Sequence, residues 1–564
     1  MSIMNDEAKR WVETTLAGLS IREKLGQVMI PRLTPNALRA FGGSVRRYIE
    51  EQMPGGVHLF GGNPEETRRM LAEAQEASAI PLLVTGDLER GAGQRVEGGT
   101  EFSGQLALGA CGDERLAYRF GEAIAVEGRA AGFNWVFGPV LDLSANPSNL
   151  SHIRCLGADP KTVARLGAQI IRGIQDHGMA ATGKHLPGGG LEDLDSHLTT
   201  PVNRASRAAW LRGSGVPFKA AIDAGVWTLM ASPIACPAMD PECGDPRFPR
   251  PVMTSRAFCT DWIRKRWGFE GVLVTDALTM GGLTMHFRRL EMHLACLNAG
   301  NDMLLFVHRL DSVYAYLEQC LADGRLALQR LDEAVRRVLT LKTRIGLHRQ
   351  PGLMSDAERK RIMSGSTYAA DAERLAARSL TLVRDRRRVV PLPDRPGLRV
   401  CSVLITNRPE FNLDVFEGAL RDAGCRVDAV RNPPAESLYD RIERGEWDAL
   451  VVSLYYPPQW GWSTGRCHGP ESRCLMDGFP FANPATPPVF ISWANPYHLY
   501  EFAFMDPYIN TYGGCPGTQR AAALALLGRA GFAGRSPVAL PPFFKIGDGI
   551  SRRSRRAPRS GAVS

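Results

Sequence analysis

Eight short β-rich runs, spaced through the first 350 residues, restrict the fold more than any other feature of this chain. They are 25–31 (LGQVMIP), 56–60 (GVHLF), 81–86 (PLLVTG), 134–138 (NWVFG), 179–184 (MAATGK), 226–232 (VWTLMAS), 271–276 (GVLVTD) and 302–306 (DMLLF). Amphipathic segments such as 113–131 and 159–177 lie between most of them, and the second opens on Asp159-Pro160, a helix start signal. Eight strands separated by crossovers predict a (β/α)8 barrel over residues 1–350.

Polar residues collect where such a barrel keeps its chemistry. Asp87 follows the third run, Asp142 the fourth and Lys184-His185 the fifth, and Asp276 ends the seventh. All are at C-terminal strand ends, the catalytic face of barrels of this kind. Asp276 closes an apolar strand, VLVTDALTM, that would aim its carboxylate into the barrel mouth. On position alone it reads equally as a cap for the turn that follows. Between the fifth and sixth runs stands Asp195-Ser196-His197. On an extended segment Asp195 and His197 project to one side, so the carboxylate can orient the imidazole while Ser196 turns away. A histidine held so can give or take a proton near neutral pH. Gly188, Gly189 and Gly190 upstream would let its loop move, which makes the pair a mobile general acid/base.

A helical stretch at about 355–380, within a connecting region 351–385, leads to a second alternating pattern. Strands are expected at 398–405, 425–430, 448–454, 488–493 and 508–512, with helices at 412–423, 434–445 and 516–529. Residues 386–550 therefore read as a smaller α/β sandwich with a mostly parallel sheet.

Charge and composition exclude several functions. Of the net +9, five charges come from Arg552, Arg553, Arg555, Arg556 and Arg559 in the last fourteen residues, so 551–564 reads as a basic disordered tail. No nucleic-acid partner is expected. No apolar run is long enough to span a membrane, and the N-terminus lacks a secretory pattern. Twelve scattered cysteines without a regular framework read as reduced thiols of a cytoplasmic protein. His152, His185 and His197 lack metal-ligand spacing, and Cys467-His468 with Cys474 has no second pair, so no metal is expected. Gly188–Gly190 is not followed by Gly-Lys-Ser/Thr, and no cofactor is implied.

Five motifs in order, LSIREKLGQVMIPRL, GDLERGAGQR, GFNWVFGPVLDLSANPSN, KHLPGGGLEDLDSH and GFEGVLVTDALTM, resemble glycoside hydrolase family 3. They are most similar to its β-N-acetylglucosaminidase branch, which uses a His-Asp dyad. The second half, with ISWANPY and GRSPVALPPFFKIGDG, resembles the family's C-terminal sandwich domain. The resemblance implies a retaining hydrolase of terminal β-linked N-acetylglucosamine, with peptidoglycan fragments as the substrate. It implies Asp276 as nucleophile, His197 as acid/base and Asp195 as its orienting partner, through a covalent glycosyl-aspartate intermediate. Asp87, Arg95, Arg154, Lys184 and His185 match the family's sugar-binding positions.

Departures from the family pattern fall at the rim of the site: Arg90 and Ala92 after Asp87, Gly189 where a histidine is usual, and Pro233 after the sixth strand. They leave open a phosphorylase using the same site or a tailoring glycosidase for a secondary metabolite. The retained Asp276, Asp195 and His197 argue against a non-catalytic sugar-binding protein. Trp460, Trp462 and Arg466, on a long loop of the second half, are either further site residues or surface packing.

Overall fold

The structure is a computed structural model that describes residues 5–350, 352–364, 367–461, 466–476, 486 and 488–555. The chain forms two compact units, one of residues 1–100, 117–143 and 163–368, the other of 101–116, 144–162 and 369–564. The second unit thus takes in two stretches that lie, in the sequence, among the barrel strands.

In the first unit eight strands form: β1 Met29–Ile30, β2 Gly56–His58, β3 Leu83–Gly86, β4 Trp135–Val136, β5 Thr182–Leu186, β6 Thr228–Ala231, β7 Val272–Ala277 and β8 Met303–Leu305. One parallel ladder runs β5-β6-β7-β8-β1 and another β2-β3-β4. Parallel bridges Arg32↔His58 and Trp135↔Ala180 join the two, so the strands follow one another around a closed ring. The eight-stranded barrel is as expected from the pattern. Its interior is filled by side chains, with the Trp135 indole N–H donating to Thr182 Oγ1 at 2.7 Å and Thr228 Oγ1 at 3.0 Å. Ile30, Leu83, Phe137, Met230, Val274, Met303 and Leu305 pack with it into one buried cluster.

Most strand boundaries shift by a residue or more from the sequence reading, and two of the shifts matter here. Residues 25–27 belong to a helix, Ile21–Gln27, not to the first strand. Its start is a capping box, in which the Glu23 N–H donates to Ser20 Oγ and the Ser20 N–H to Glu23 Oε2; this local signal outweighs the apolar run behind it. The fifth strand extends to Leu186, so Lys184 and His185 lie within it.

In the second unit the strands are β9 Thr381–Arg384, β10 Arg399–Thr406, β11 Arg426–Arg431, β12 Ala449–Tyr455, β13 Pro488–Trp493 and β14 Tyr508–Asn510, in sheet order β11-β10-β12-β13-β14-β9. All pair in parallel except β14 with β9. Helices Asp414–Asp422 and Pro516–Leu526 help to cover it, burying Phe416, Leu420, Ala522 and Leu526 against Val451, Val489 and Trp493. β9 lies in the region read as a connection; its four residues are too few to show a period, and pairing with β14 makes them a strand. Residues 551–555 correct the reading of a tail that is loose from 551. Arg552 exchanges backbone hydrogen bonds with Phe532, and Arg555 donates to the Pro391 carbonyl. Arg556 and Arg559 lie outside the described residues.

Candidate active site

Because every barrel strand is parallel, all eight C-terminal ends open on one face. β3, β5 and β7 each bring a carboxylate or a cation to it. Lys184, inside β5 and buried, sits between Asp87 just past β3 (Nζ–Oδ1 3.3 Å) and Glu89 (Nζ–Oε1 2.6 Å). The ammonium is thereby held by two carboxylates, and Asp87 stays one-quarter exposed to receive a ligand. Arg95 Nε donates to the Asp87 carbonyl at 3.3 Å, and its guanidinium lies 6.0 Å from the Phe60 ring centre. Buried His58 completes this wall. Its Nε2 is 3.9 Å from Asp87 Oδ2, its ring stacks on Phe137, and burial pushes its pKa down to about 4. It is therefore a neutral wall at neutral pH.

Asp142, the residue that follows β4 by six positions, pairs with His185 of β5. Its Oδ2 meets His185 Nδ1 at 2.7 Å, while Oδ1 accepts the N–H groups of His185 at 3.1 Å and Gly189 at 2.7 Å. Burial alone would raise the pKa of Asp142, but the His185 ring and these donors outweigh it and hold the carboxyl below the usual range. Asp142 thus fixes both the His185 ring and the start of the loop that carries Asp195 and His197.

That loop is built by close approach. Gly190, at φ +99°, lies so near Leu143 that a Cβ would meet its carbonyl oxygen at 1.6 Å, and a Cβ on Gly188 would meet Ser214 at 2.7 Å. The glycines are buried and packed rather than hinge-like in setting. Asp195 and His197 do pair, Nδ1 to Oδ1 at 2.9 Å, with Asp195 buried and the His197 side chain 46% exposed. The pairing arises from a turn, not from the alternation of an extended segment. The same Asp195 oxygen accepts the His197 N–H at 2.9 Å, and the Leu198 and Thr199 N–H groups donate to the Asp195 carbonyl.

Asp276 lies within β7. Its Oδ2 accepts from Ser232 Oγ, just past β6, at 2.9 Å and its Oδ1 accepts the Ala277 N–H at 2.8 Å. Five residues on, the Gly281 and Gly282 N–H groups donate to the carbonyls of His197 and Ser196 at 2.9 and 3.1 Å. The strand that holds Asp276 and the loop that holds the dyad are therefore one hydrogen-bonded assembly.

The first unit brings together Asp87, Arg95, Lys184, His185, Asp195, His197 and Asp276. Arg154 belongs to the second unit, at the end of the short helix His152–Arg154, with its guanidinium 5.0 Å from the Trp460 ring centre. Arg466 of that unit lies over Tyr500 at 4.2 Å and donates to Ser148 Oγ, whereas Trp462 is outside the described residues. Glu89, Ser232 and His58 were not singled out as site residues; each stands at or within a few positions of a strand end, the one signal that marked them, and Asp142 was marked by its place after the fourth strand but not by its partner. Among the described residues no group of three or more His, Cys, Asp or Glu side chains is placed to hold a metal ion. No helix there is long and apolar enough to cross a membrane.

The model of the glycosyl hydrolase family 3 N-terminal domain matches residues 20–341. The chain belongs to glycosyl hydrolase family 3. As a whole it is 33% identical over 555 residues to a β-N-acetylglucosaminidase/β-glucosidase of Cellulomonas fimi, covering 95% of this chain and 96% of that one. Among solved structures, a β-glucoside phosphorylase superposes with a TM-score of 0.86 at 30% identity, over 95% of this family 3 chain and 97% of the other. A family 3 β-N-acetylglucosaminidase from Paenibacillus sp. FPU-7 gives a TM-score of 0.79 at 27% identity, over 93% and 99%. These relatives make the chain a glycoside hydrolase by descent, with the two-unit α/β fold seen here.

Proposed function

We propose that this family 3 glycoside hydrolase removes terminal β-linked N-acetylglucosamine with retention, through a glycosyl-Asp276 intermediate. The observation that carries the reading is the joined assembly of Asp276 and the Asp195–His197 pair. With the His197 Nδ1–H donated to Asp195, Nε2 is left to serve the glycosidic oxygen. One Asp276 oxygen attacks the anomeric carbon. The bond to the leaving oxygen breaks as His197 delivers its proton, and the aglycone departs. A water then gives its proton to His197 and attacks the same carbon, which frees Asp276. Ser232 and the Ala277 N–H hold the carboxylate in position for both steps. Asp87, Lys184, Arg95 and His185 would grip the sugar by charged hydrogen bonds.

The test is chromophore release from an aryl β-N-acetylglucosaminide. Asp276→Asn is expected to lose at least about 10^4-fold in kcat, a barrier increase of roughly 5.5 kcal/mol. His197→Ala, with an activated leaving group, is expected to show a fast first turnover and then stall. Equal activity of Asp276→Asn and wild type would sink the assignment.

The phosphorylase relative supports a second reading, in which inorganic phosphate rather than water attacks the intermediate. An imidazole lacks the negative charge with which a carboxylate would repel phosphate. Product analysis in phosphate buffer separates the two: sugar 1-phosphate marks phosphorolysis, and free sugar marks hydrolysis.

A further inference from the structure

The loop that carries the dyad has its polarity reversed. Solvent-facing loops normally expose polar groups and bury apolar ones, yet here Asp195 is buried while Leu191, Leu194 and Leu198 are 39%, 49% and 52% exposed. Asp193 and His197 are its other outward side chains. Met285, 48% exposed, extends the apolar surface from the neighbouring segment. It is tied to the loop by Thr200 Oγ1, which lies 3.2 Å from its sulfur, and by Thr199 Oγ1 at 3.7 Å. The backbone bonds from Gly281 and Gly282 hold Leu198 beside the helix Gly281–Thr284 that Met285 follows. Leu198 and Met285 are thereby brought together beside the dyad, with Leu194 exposed on the same loop, and exposed apolar side chains gathered at a site mark a binding surface.

We propose that Leu194, Leu198 and Met285 form an aglycone subsite that takes an apolar leaving group, an alkyl or aryl chain, in preference to a second sugar. The inference rests on the reading of His197 as the acid that serves the glycosidic oxygen. With that oxygen at His197 Nε2, the first atoms of the aglycone lie against the residues that flank His197. A sugar in that place is recognised by several hydrogen-bonding side chains or an aromatic face, and on this rim the aliphatic side chains and a thioether outnumber the one outward carboxylate, Asp193.

An alkyl series tests it, because methyl, butyl and hexyl β-N-acetylglucosaminides share nearly one leaving-group basicity and differ in apolar contact alone. The expected result is a kcat/KM that rises at least about tenfold from methyl to hexyl and exceeds that for the disaccharide of N-acetylglucosamine. In Leu194→Ser, Leu198→Ser and Met285→Gln the hexyl-to-methyl ratio is expected to fall toward one. Because it is a ratio, a general disturbance of His197 in the two loop variants cancels, and Met285→Gln leaves the loop sequence intact. A flat series, a preferred disaccharide, or a ratio unmoved in all three variants would overturn the proposal while the hydrolase reading stands. If no glycoside is cleaved, the hydrolase reading fails, and the subsite is then judged by calorimetric binding to wild type. Tighter binding of the hexyl than the methyl glycoside, lost in Met285→Gln, supports an apolar site; equal affinities, or apolar contact spent on a self-association that the variants abolish, overturn it.

Discussion

Glu192 shows how a single side chain couples the loop to its anchor. It accepts the N–H groups of Gly190 at 3.1 Å and Leu191 at 3.3 Å, and a Cβ on Gly189 would lie 3.0 Å from Glu192 Oε1 and 3.5 Å from the Asp142 carboxyl carbon. Burial, reinforced by the Asp142 charge, pushes its pKa up to about 7. The native state therefore keeps a proton that the unfolded chain loses near pH 4.5. The stability that this proton carries is complete below about pH 4.5 and is lost as pH rises to about 7. Relative to wild type, Glu192→Gln should gain about 1–2 kcal/mol between pH 4.5 and pH 8, less than the full shift because the side chain is partly solvated. Urea unfolding at the two pH values measures this, and a difference independent of pH would show that Glu192 is not held protonated. Nothing in the spacing of GGGLEDLDSH announced it, since a pKa depends on what a loop folds against.

At the scale of elements, the barrel is clasped at the end opposite its chemistry. Asp302, fully buried immediately before β8, accepts from Arg330 at 2.9 Å, Arg337 at 3.1 Å and the Leu273 N–H of β7 at 3.0 Å, and also pairs with Arg264. Burial opposes its charge, and the three guanidiniums outweigh burial and hold its pKa low. The clasp joins β7 and β8 to the helices 257–266 and Leu328–Ile345. Removing one member of such a buried group leaves charges without partners. Asp302→Ala should accordingly cost about 3–5 kcal/mol in denaturant unfolding; a loss under about 1 kcal/mol would mean that the arginines find water instead. The loop at 188–198 gives the contrasting lesson. Sequence alternation found the right partners, Asp195 and His197, for the wrong local reason, because a turn brings residues i and i+2 together as readily as a strand does.

Across the whole molecule, composition predicted reduced, mostly buried thiols, and the structure buries most of them. Among the described residues no two of the twelve cysteines are joined by a disulfide, and ten are buried, leaving Cys111 and Cys467 partly exposed. Burial pushes the thiols of Cys236, Cys259 and Cys401 up to about 12. A thiol-exchange reagent is expected to label at most two cysteines quickly in the native protein and all twelve in denaturant, with melting unchanged by reductant. Rapid labelling of more than two would contradict this packing. Arg552 and Arg555 are held to the second unit by contacts of their own. A chain ended after Arg555 keeps these contacts. One ended after Gly549 loses the Arg552–Phe532 bonds, and the second unit should be weakened by about 1–2 kcal/mol. Equal melting of the two shortened chains would show that these bonds contribute nothing.

The number and order of the barrel strands, the mostly parallel second sheet and the polar residues at strand ends were legible in the amino-acid sequence. Apolar runs and helix signals are local, and parallel β/α connection puts every C-terminal end on one face without further information. Partnership across long stretches of chain was not legible. Lys184 meets Asp87 across 97 positions, His185 meets Asp142 across 43, and Asp276 meets Ser232 across 44. Arg154, placed by motif beside the other sugar-binding residues, lies in the other unit. Closure of the ring and the packing of loops over it decided those pairings, because which charges share a buried pocket depends on distances in space that no periodicity along the chain encodes.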